Sequence, residues 1–418
     1  MKPTVRSTIA EEWAHIVKDK RLFAMLFFIP IVYTFLFGSI YSHHKVTELD
    51  TVVVDQDRSP LSRQIVQAFE ESESFRIAGE AYSEEDARAE LADGRAKVAL
   101  IVPFRFETSL KQGQTLPLVT LVDGSNMIVA NTATKGANEV ITTFSMGLSA
   151  KKLQLQQGLQ EEQVANVLSP IPFRYRTLYN PTFNYNEFML FGLTGAILQQ
   201  VLFLGVALTV TREKENGTWA RFHVWKRDPW LLAAAKTVPY FLINLTNTMI
   251  AYVICAFVFD IPIHGQLTAV LSLVASFTLA VSGYGYLISM FSGNQLGATQ
   301  IAMLIAVPSF MLSGYTWPLE SMPQALQTLS HGLPLTYYLD GLRNVLVKGN
   351  DLQAIWRDCV SLVLMAGITY AAAMLLTRFV MFRKMADADD AMLPDGLPEG
   401  AAAPVVPAVR TGGSGMTI

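Results

Sequence analysis

Six long apolar stretches punctuate the chain, at residues 22–42, 188–210, 232–258, 267–291, 298–317 and 357–381. A helix needs roughly 20 apolar residues to cross a hydrocarbon core, so the pattern predicts six transmembrane helices. The first, LFAMLFFIPIVYTFLFGSIY, also has features of a secretory signal. It exceeds the usual apolar run of about 7–15 residues and no small-residue cleavage site follows, so it reads as a retained anchor at 22–42.

Between residues 43 and 186 the periodicity changes. TVVVDQD reads as a strand and SPLSRQIVQAFEES as a helix opened by Ser59 and Pro60. SEEDARAELADG is a helix with an acidic first turn, KVALIVP a buried strand, RFETSLKQG a helix and LPLVTLVDGS another strand. No proline interrupts residues 127–166, whose broken apolar spacing suits one or two long helices. The return segment RYRTLYNPTFNYNE carries Tyr175, Tyr179, Phe183 and Tyr185, which suit either the membrane interface or the core of the inserted domain.

Before the first span, TIAEEWAHIVKDKR places Ile9, Trp13, Ile16 and Val17 at helical spacing. Residues 1–21 therefore read as an amphipathic helix on the membrane surface, or as a solvated lead-in. Residues 382–418, rich in Pro, Gly, Ala and Asp, read as a disordered tail.

Composition reinforces the membrane reading: 51% of the 418 residues are hydrophobic and 16% charged, against about 25% charged in soluble domains. A net charge of -3 offers no basic field to attract nucleic acid. Basic residues fall mostly on one side of the spans: Lys18, Lys20 and Arg21, then Arg212, Lys214, Arg221, Lys226 and Arg227, then Arg378, Arg383 and Lys384. That side is expected to be cytoplasmic, although Arg343 and Lys348 lie on the other. The expected fold class is an α-helical polytopic membrane protein of six transmembrane helices with an inserted mixed α/β extracytoplasmic domain. Both termini are then cytoplasmic.

No catalytic or metal constellation emerges. There is no GxxxxGK[ST] phosphate loop, and Cys255 and Cys359 both lie in apolar runs. His43 and His44 form an isolated pair, while Asp55, Asp57 and Asp123 occupy turn contexts suited to capping. The span centres lack charge; Lys236, Arg357, Asp358 and Arg378 sit near span ends, where long side chains snorkel or pair. Gln199, Gln200, Asn244 and Asn247 are the deepest strong polar groups and either line a substrate path or hold helices together. After the fifth span, Pro318, Pro323 and Pro334 divide residues 318–350 into short re-entrant pieces. Trp317, Tyr337 and Tyr338 are expected to anchor these pieces at the interface, with Glu320, Asp340 and Arg343 facing water or each other.

The second span ends in a dense charged cluster, LTVTREKENGTWARF at 208–222. Arg212 and Lys214 alone would serve as a topological anchor, but the interleaved Glu213 and Glu215 favour a paired docking surface. With the six-span plan, TREKENGT after span two and LSGYTWPLESMPQALQTLSHGLPLTYYLDGLR after span five, residues 1–385 resemble the type-2 ABC exporter permeases. The inserted domain, opening TVVVDQDRSPLSRQIV, resembles that of their drug-export subgroup.

The resemblance implies that residues 187–381 hold five further spans and that 211–228 is a cytoplasmic coupling loop docking on a separate ABC ATPase. Arg212, Glu213, Glu215, Gly217 and Thr218 match the family's motif. WARFHVWKRDPW then departs from the usual continuation, though Pro229 is kept, and leaves Trp219, Arg221 and Trp225 to set which ATPase is accepted. ATP and Mg would bind to that ATPase, with no cofactor on this chain. A second permease copy, identical or paralogous, would complete the pathway, and a periplasmic adaptor and outer-membrane channel would extend it. The implied activity is ATP-driven export of an amphiphilic or drug-like cargo. A receptor with a ligand-binding outer domain and an ion-coupled carrier are the alternatives; the first lacks an inside signalling module and the second lacks mid-membrane charge.

Overall fold

The computed structural model describes residues 4–41, 46–112, 114–157, 178–180, 184–226 and 228–392. His43, His44, Tyr175, Phe183, the far part of the long helical stretch and the tail from residue 393 lie outside the described residues.

Helix α1 (Val5–Lys18) opens on a Thr4–Ser7 capping box and ends at Asp19, whose carboxylate then caps α2 (Lys20–Ile40). Next come β1 (Leu49–Asp55), α3 (Pro60–Glu70), β2 (Phe75–Glu80), α4 (Glu84–Ala92), β3 (Val98–Val102), α5 (Phe106–Lys111), β4 (Val119–Val122) and α6 (Met127–Gln157). The strands form one sheet of order β2-β1-β3-β4, with β1 parallel to β2 and β3, and β4 antiparallel to β3. Val53, Leu100 and Val102 on one face pack with Ile65 and Phe69 of α3 and Ala133 and Ala137 of α6. Val52, Val54, Ala99 and Ile101 on the other face pack with Ala87 of α4. Strand β2 was not expected from the sequence: it is an edge strand in which Phe75 alone is buried, so FRIAGE shows no apolar run.

The acidic turn residues cap backbone. Asp55 accepts from the N–H groups of Asp57 and Arg58, and Asp57 accepts from the Glu107 N–H at 3.0 Å. Hydrogen bonds from Ser125, joined by Lys97, hold the Asp123 carboxyl down at about 2.

The membrane part continues with α7 (Tyr185–Glu215), the 3₁₀ helix Trp219–Lys226, α8 (Pro229–Phe257), α9 (Leu267–Phe291) and α10 (Gln295–Leu312). It closes with α11 (Gln324–Ser330), α12 (Pro334–Leu342) and α13 (Leu352–Met392). Among the described residues six helices are long and apolar enough to cross a membrane: α2, α7, α8, α9, α10 and the Leu352–Arg378 part of α13. They alternate in direction. Tyr41 at the end of α2 meets Tyr185 at the start of α7, and Gln295 at the start of α10 meets Glu215 at the end of α7. One end of the bundle therefore carries the sheet domain and residues 313–351; the other carries α1, the 216–228 segment and the start of α10.

Helix α7 is the hub, with 72% of its apolar window buried against 22% for α2, α10 and α13. Glycines let aromatic rings lie on its backbone: Tyr315 on Gly192, Tyr338 on Gly195 and Tyr240 on Gly205. A Cβ on Gly192 would sit 2.2 Å from the Tyr315 ring, which also stacks on Phe188 at 5.4 Å. Gly192→Ala is therefore expected to cost about 1–3 kcal/mol through overpacking, read as a lowered melting temperature in detergent. An unchanged melting temperature would mean that the ring moves aside freely.

Two expectations are corrected. Tyr338 is fully buried, stacked on Phe277 with ring centroids 3.8 Å apart and hydrogen-bonded to Tyr252, so it belongs to the bundle core rather than the interface. Helix α13 runs to Met392, past the expected start of the tail at 382, because FRKMADADDAM is built largely of good helix formers and proline first returns at Pro394.

Candidate coupling site

The charged cluster that ends α7 sends successive side chains in different directions, because each residue turns about 100° around a helix. Arg212 reaches α1, where its Nη2 is 2.8 Å from Glu12 Oε2. Glu213 faces α8, its Oε1 accepting from Lys236 Nζ at 2.8 Å. Lys214 turns to the end of α9 and donates to the carbonyl oxygens of Ser289, Met290 and Ser292 at 3.0, 2.6 and 2.9 Å. Glu215 turns to the start of α10 and accepts from the Gln295 N–H at 2.8 Å.

Lys236 is the centre of this arrangement. Its ammonium is 1% exposed and bridges Glu12 and Glu213, and it lies 4.8 Å from the centre of the Phe222 ring. Tyr240 donates a hydrogen bond to Glu12, Thr218 donates to Glu213, and Arg221 sits 3.2 Å from Glu213 and 3.0 Å from Glu11. Six charged groups, Glu11, Glu12, Glu213, Arg212, Arg221 and Lys236, thus form a network with three charges of each sign. Balance matters here, because an unpaired charge in such a site costs several kcal/mol whereas a fully bonded set is tolerated.

The network joins α1, α7, the 3₁₀ helix and α8. Thr8, Glu12 and Ile16 form the buried edge of α1, one residue per turn. Trp13 packs partly against the core as well, while Val17 is 61% exposed. The amphipathic face is therefore rotated from the one expected, and it carries a carboxylate that the hydrophobic pattern conceals. Beside it, burial and the nearby Arg212 charge hold the His15 imidazole below its usual range.

Glu213 was expected on a surface presented to another chain. The structure places it inside at 3% exposure, because Lys236 supplies a buried partner. Trp219, Phe222 and Trp225 also point into the core and fix the 3₁₀ helix rather than face outward. The exposed rim is Glu215, Asn216, Gly217, Thr218, Ala220 and Arg221. Gly217 makes the turn at φ 68°, a conformation that side chains disfavour.

The mid-bundle polar residues divide. Asn244 donates to Thr278 Oγ1 at 3.0 Å and Asn247 donates to the Leu26 carbonyl at 2.6 Å, so both tie α8 to neighbouring helices. Gln199 is fully buried with neither amide atom bonded among the described residues, and Gln200 is half-buried.

At the opposite end, Pro318 precedes a short 3₁₀ turn, Pro323 precedes α11, and Pro334 is the first residue of α12. Glu320, Asp340 and Arg343 line one cleft of about 430 Å³ together with Asp358 and His331. Arg343 donates to the Tyr315 carbonyl at 3.2 Å and lies 4.9 Å from its ring centre.

Six long apolar helices tied at one end by a buried ion network make up the bundle, and comparison with known proteins gives its family. The sequence pattern described as ABC-2 family transporter protein matches residues 20–375. The chain belongs to this family. It is 24% identical over 376 residues to the "Probable multidrug ABC transporter permease YbhR" of Escherichia coli (strain K12), covering 90% of this chain and 97% of that one. It is 24% identical over 349 residues to the "Probable multidrug ABC transporter permease YbhS" of the same strain, covering 83% and 89%. The "Linearmycin resistance permease protein LnrN" of Bacillus subtilis (strain 168) is 23% identical over 386 residues, covering 87% and 96%. The chain is thus a multi-pass transmembrane subunit of an ABC exporter, and the family implies ATP hydrolysis on an ATPase partner.

Proposed function

We propose that residues 211–228 form the cytoplasmic seat of a separate ABC ATPase, which binds ATP and Mg and drives this permease to export an amphiphilic or drug-like cargo. The observation that carries this reading is the arrangement at the charged end: an exposed rim at 215–221 stands on a buried ion network that joins α1, α7 and α8. A rim on such a base moves with the helices beneath it. Arg212, Glu213, Gly217 and Thr218 build or shape the seat, and Glu215 lies on its edge. The basic residues gathered at this end support a cytoplasmic placement, with the sheet domain and residues 318–350 on the extracytoplasmic side of the inner membrane.

The names of the relatives, multidrug and linearmycin resistance permeases, support an amphiphilic cargo. Gln199 and Gln200 are the polar groups offered to a cargo route, whereas Asn244 and Asn247 hold α8 to its neighbours. A second permease copy completes the route, and an adaptor with an outer-membrane channel extends it from the sheet domain. The test is co-expression with candidate ABC ATPases from the same organism, followed by purification through a tag on the permease. Retention of the ATPase is the expected outcome, and an intact permease that retains none overturns the reading.

A further inference from the structure

Two side chains of the charged cluster leave the ion network and reach the turn between α9 and α10. The Lys214 ammonium is held by the carbonyls of Ser289, Met290 and Ser292, groups left without helical partners where α9 ends. The Glu215 carboxylate takes the Gln295 N–H at the first residue of α10, and the Gln295 side-chain amide as well. Each charge matches the helix end it meets, cation on the negative C-terminus and anion on the positive N-terminus. Ser289 adds a third tie, its Oγ accepting from the Val210 N–H of α7 at 2.8 Å.

We propose that Lys214 and Glu215 are positioning residues that staple the α9–α10 turn to the end of α7, so that a push received at the ATPase seat moves α10 together with α7. The staple explains why Lys214 and Glu215 differ in sign: adjacent residues cap two helix ends of opposite polarity. It also gives Glu215 a partner within the chain, although the residue stands exposed. The assignment rests on residues 211–228 receiving an ATPase.

The test uses the full permease with its ATPase in proteoliposomes, reading ATPase affinity, ATP turnover and cargo moved per ATP. Lys214→Met, whose side chain turns away from the rim to the end of α9, is expected to keep ATPase affinity within about twofold and to lower transport per ATP about fivefold or more, the scale set by a charge at a helix end. Glu215→Ala, on the edge of the seat, is expected to lower transport per ATP as well. Lys214→Arg, which keeps the cation, should retain more transport than Lys214→Met. Loss of ATPase binding by Lys214→Met would overturn the staple in favour of direct docking, and wild-type transport per ATP in both variants would overturn it outright. Absence of ATPase binding by the wild-type chain would instead overturn the docking reading beneath it.

A second arm guards against misfolding. Glu215→Cys with Gln295→Cys, in a background with Cys255 and Cys359 replaced by alanine, replaces the staple by a reducible cross-link. Coupling should be higher oxidised than reduced in the same preparation; equal coupling in the two states counts against the proposal.

Discussion

Replacing Lys236 by methionine is expected to destabilise the permease by about 3–5 kcal/mol, the cost of leaving a buried ionic group unpaired. The ammonium is 1% exposed and bonds both Glu12 and Glu213, so its removal leaves the buried set with a surplus negative charge. Methionine fills most of the volume, which separates the electrostatic effect from a cavity effect. The charge-balanced pair Lys236→Met with Glu213→Gln should recover most of the loss, because it keeps the Glu12–Arg212 ion pair at 2.8 Å and removes one charge of each sign. Thermal melting in detergent reads both. A double variant no more stable than the single one would show that the network contributes packing rather than charge balance.

The second large effect is expected at Phe222. Its ring is fully buried, lies 5.8 Å from the Trp219 ring, and has Lys236 and Arg221 at 4.8 and 4.7 Å from its centre. Phe222→Ala removes the core of the 3₁₀ helix and should cost about 3–5 kcal/mol. The loss should fall on the segment that carries the exposed rim, so ATPase retention drops sharply while the sheet domain keeps its own core. Limited proteolysis near residue 220 together with the co-purification ratio measures this. Unchanged retention from a folded variant would show that the 3₁₀ helix does not shape the seat.

The membrane plan was legible because span length and apolar content are local properties: all six expected spans overlap the six long apolar helices. The prolines at 318, 323 and 334 were equally direct, since each fixes its own backbone and starts a new piece. Strand β2 was less so, because an edge strand gains order from its neighbour rather than from its own burial. The candidate site divides along the same line. Arg212 to Glu215 were visible as a cluster, yet their destinations depend on residues far away in the chain.

Glu12 looked like a solvated residue of an amphipathic helix, and Lys236 like a span-end lysine free to snorkel. Only the approach of α1 to α8 turns them into a buried pair. One signal was available in the sequence: Glu12 falls one turn before Ile16, which the apolar spacing already places on the packed face, and one turn after Thr8. Trp219 and Trp225 were expected to choose the partner, but large aromatic rings gain more from burial than from display, and both lie 8% exposed.

The central claim is that the segment following α7 is where the ATPase sits. A photo-cross-linking residue placed at Ala220, which is exposed on the rim, tests it most directly when compared with the same residue at Tyr82, 90% exposed on the sheet domain. With the ATPase co-expressed and the membranes irradiated, position 220 is predicted to yield a permease–ATPase adduct and position 82 none. An adduct from position 82, or none from position 220 in a preparation that retains the ATPase, would contradict the account.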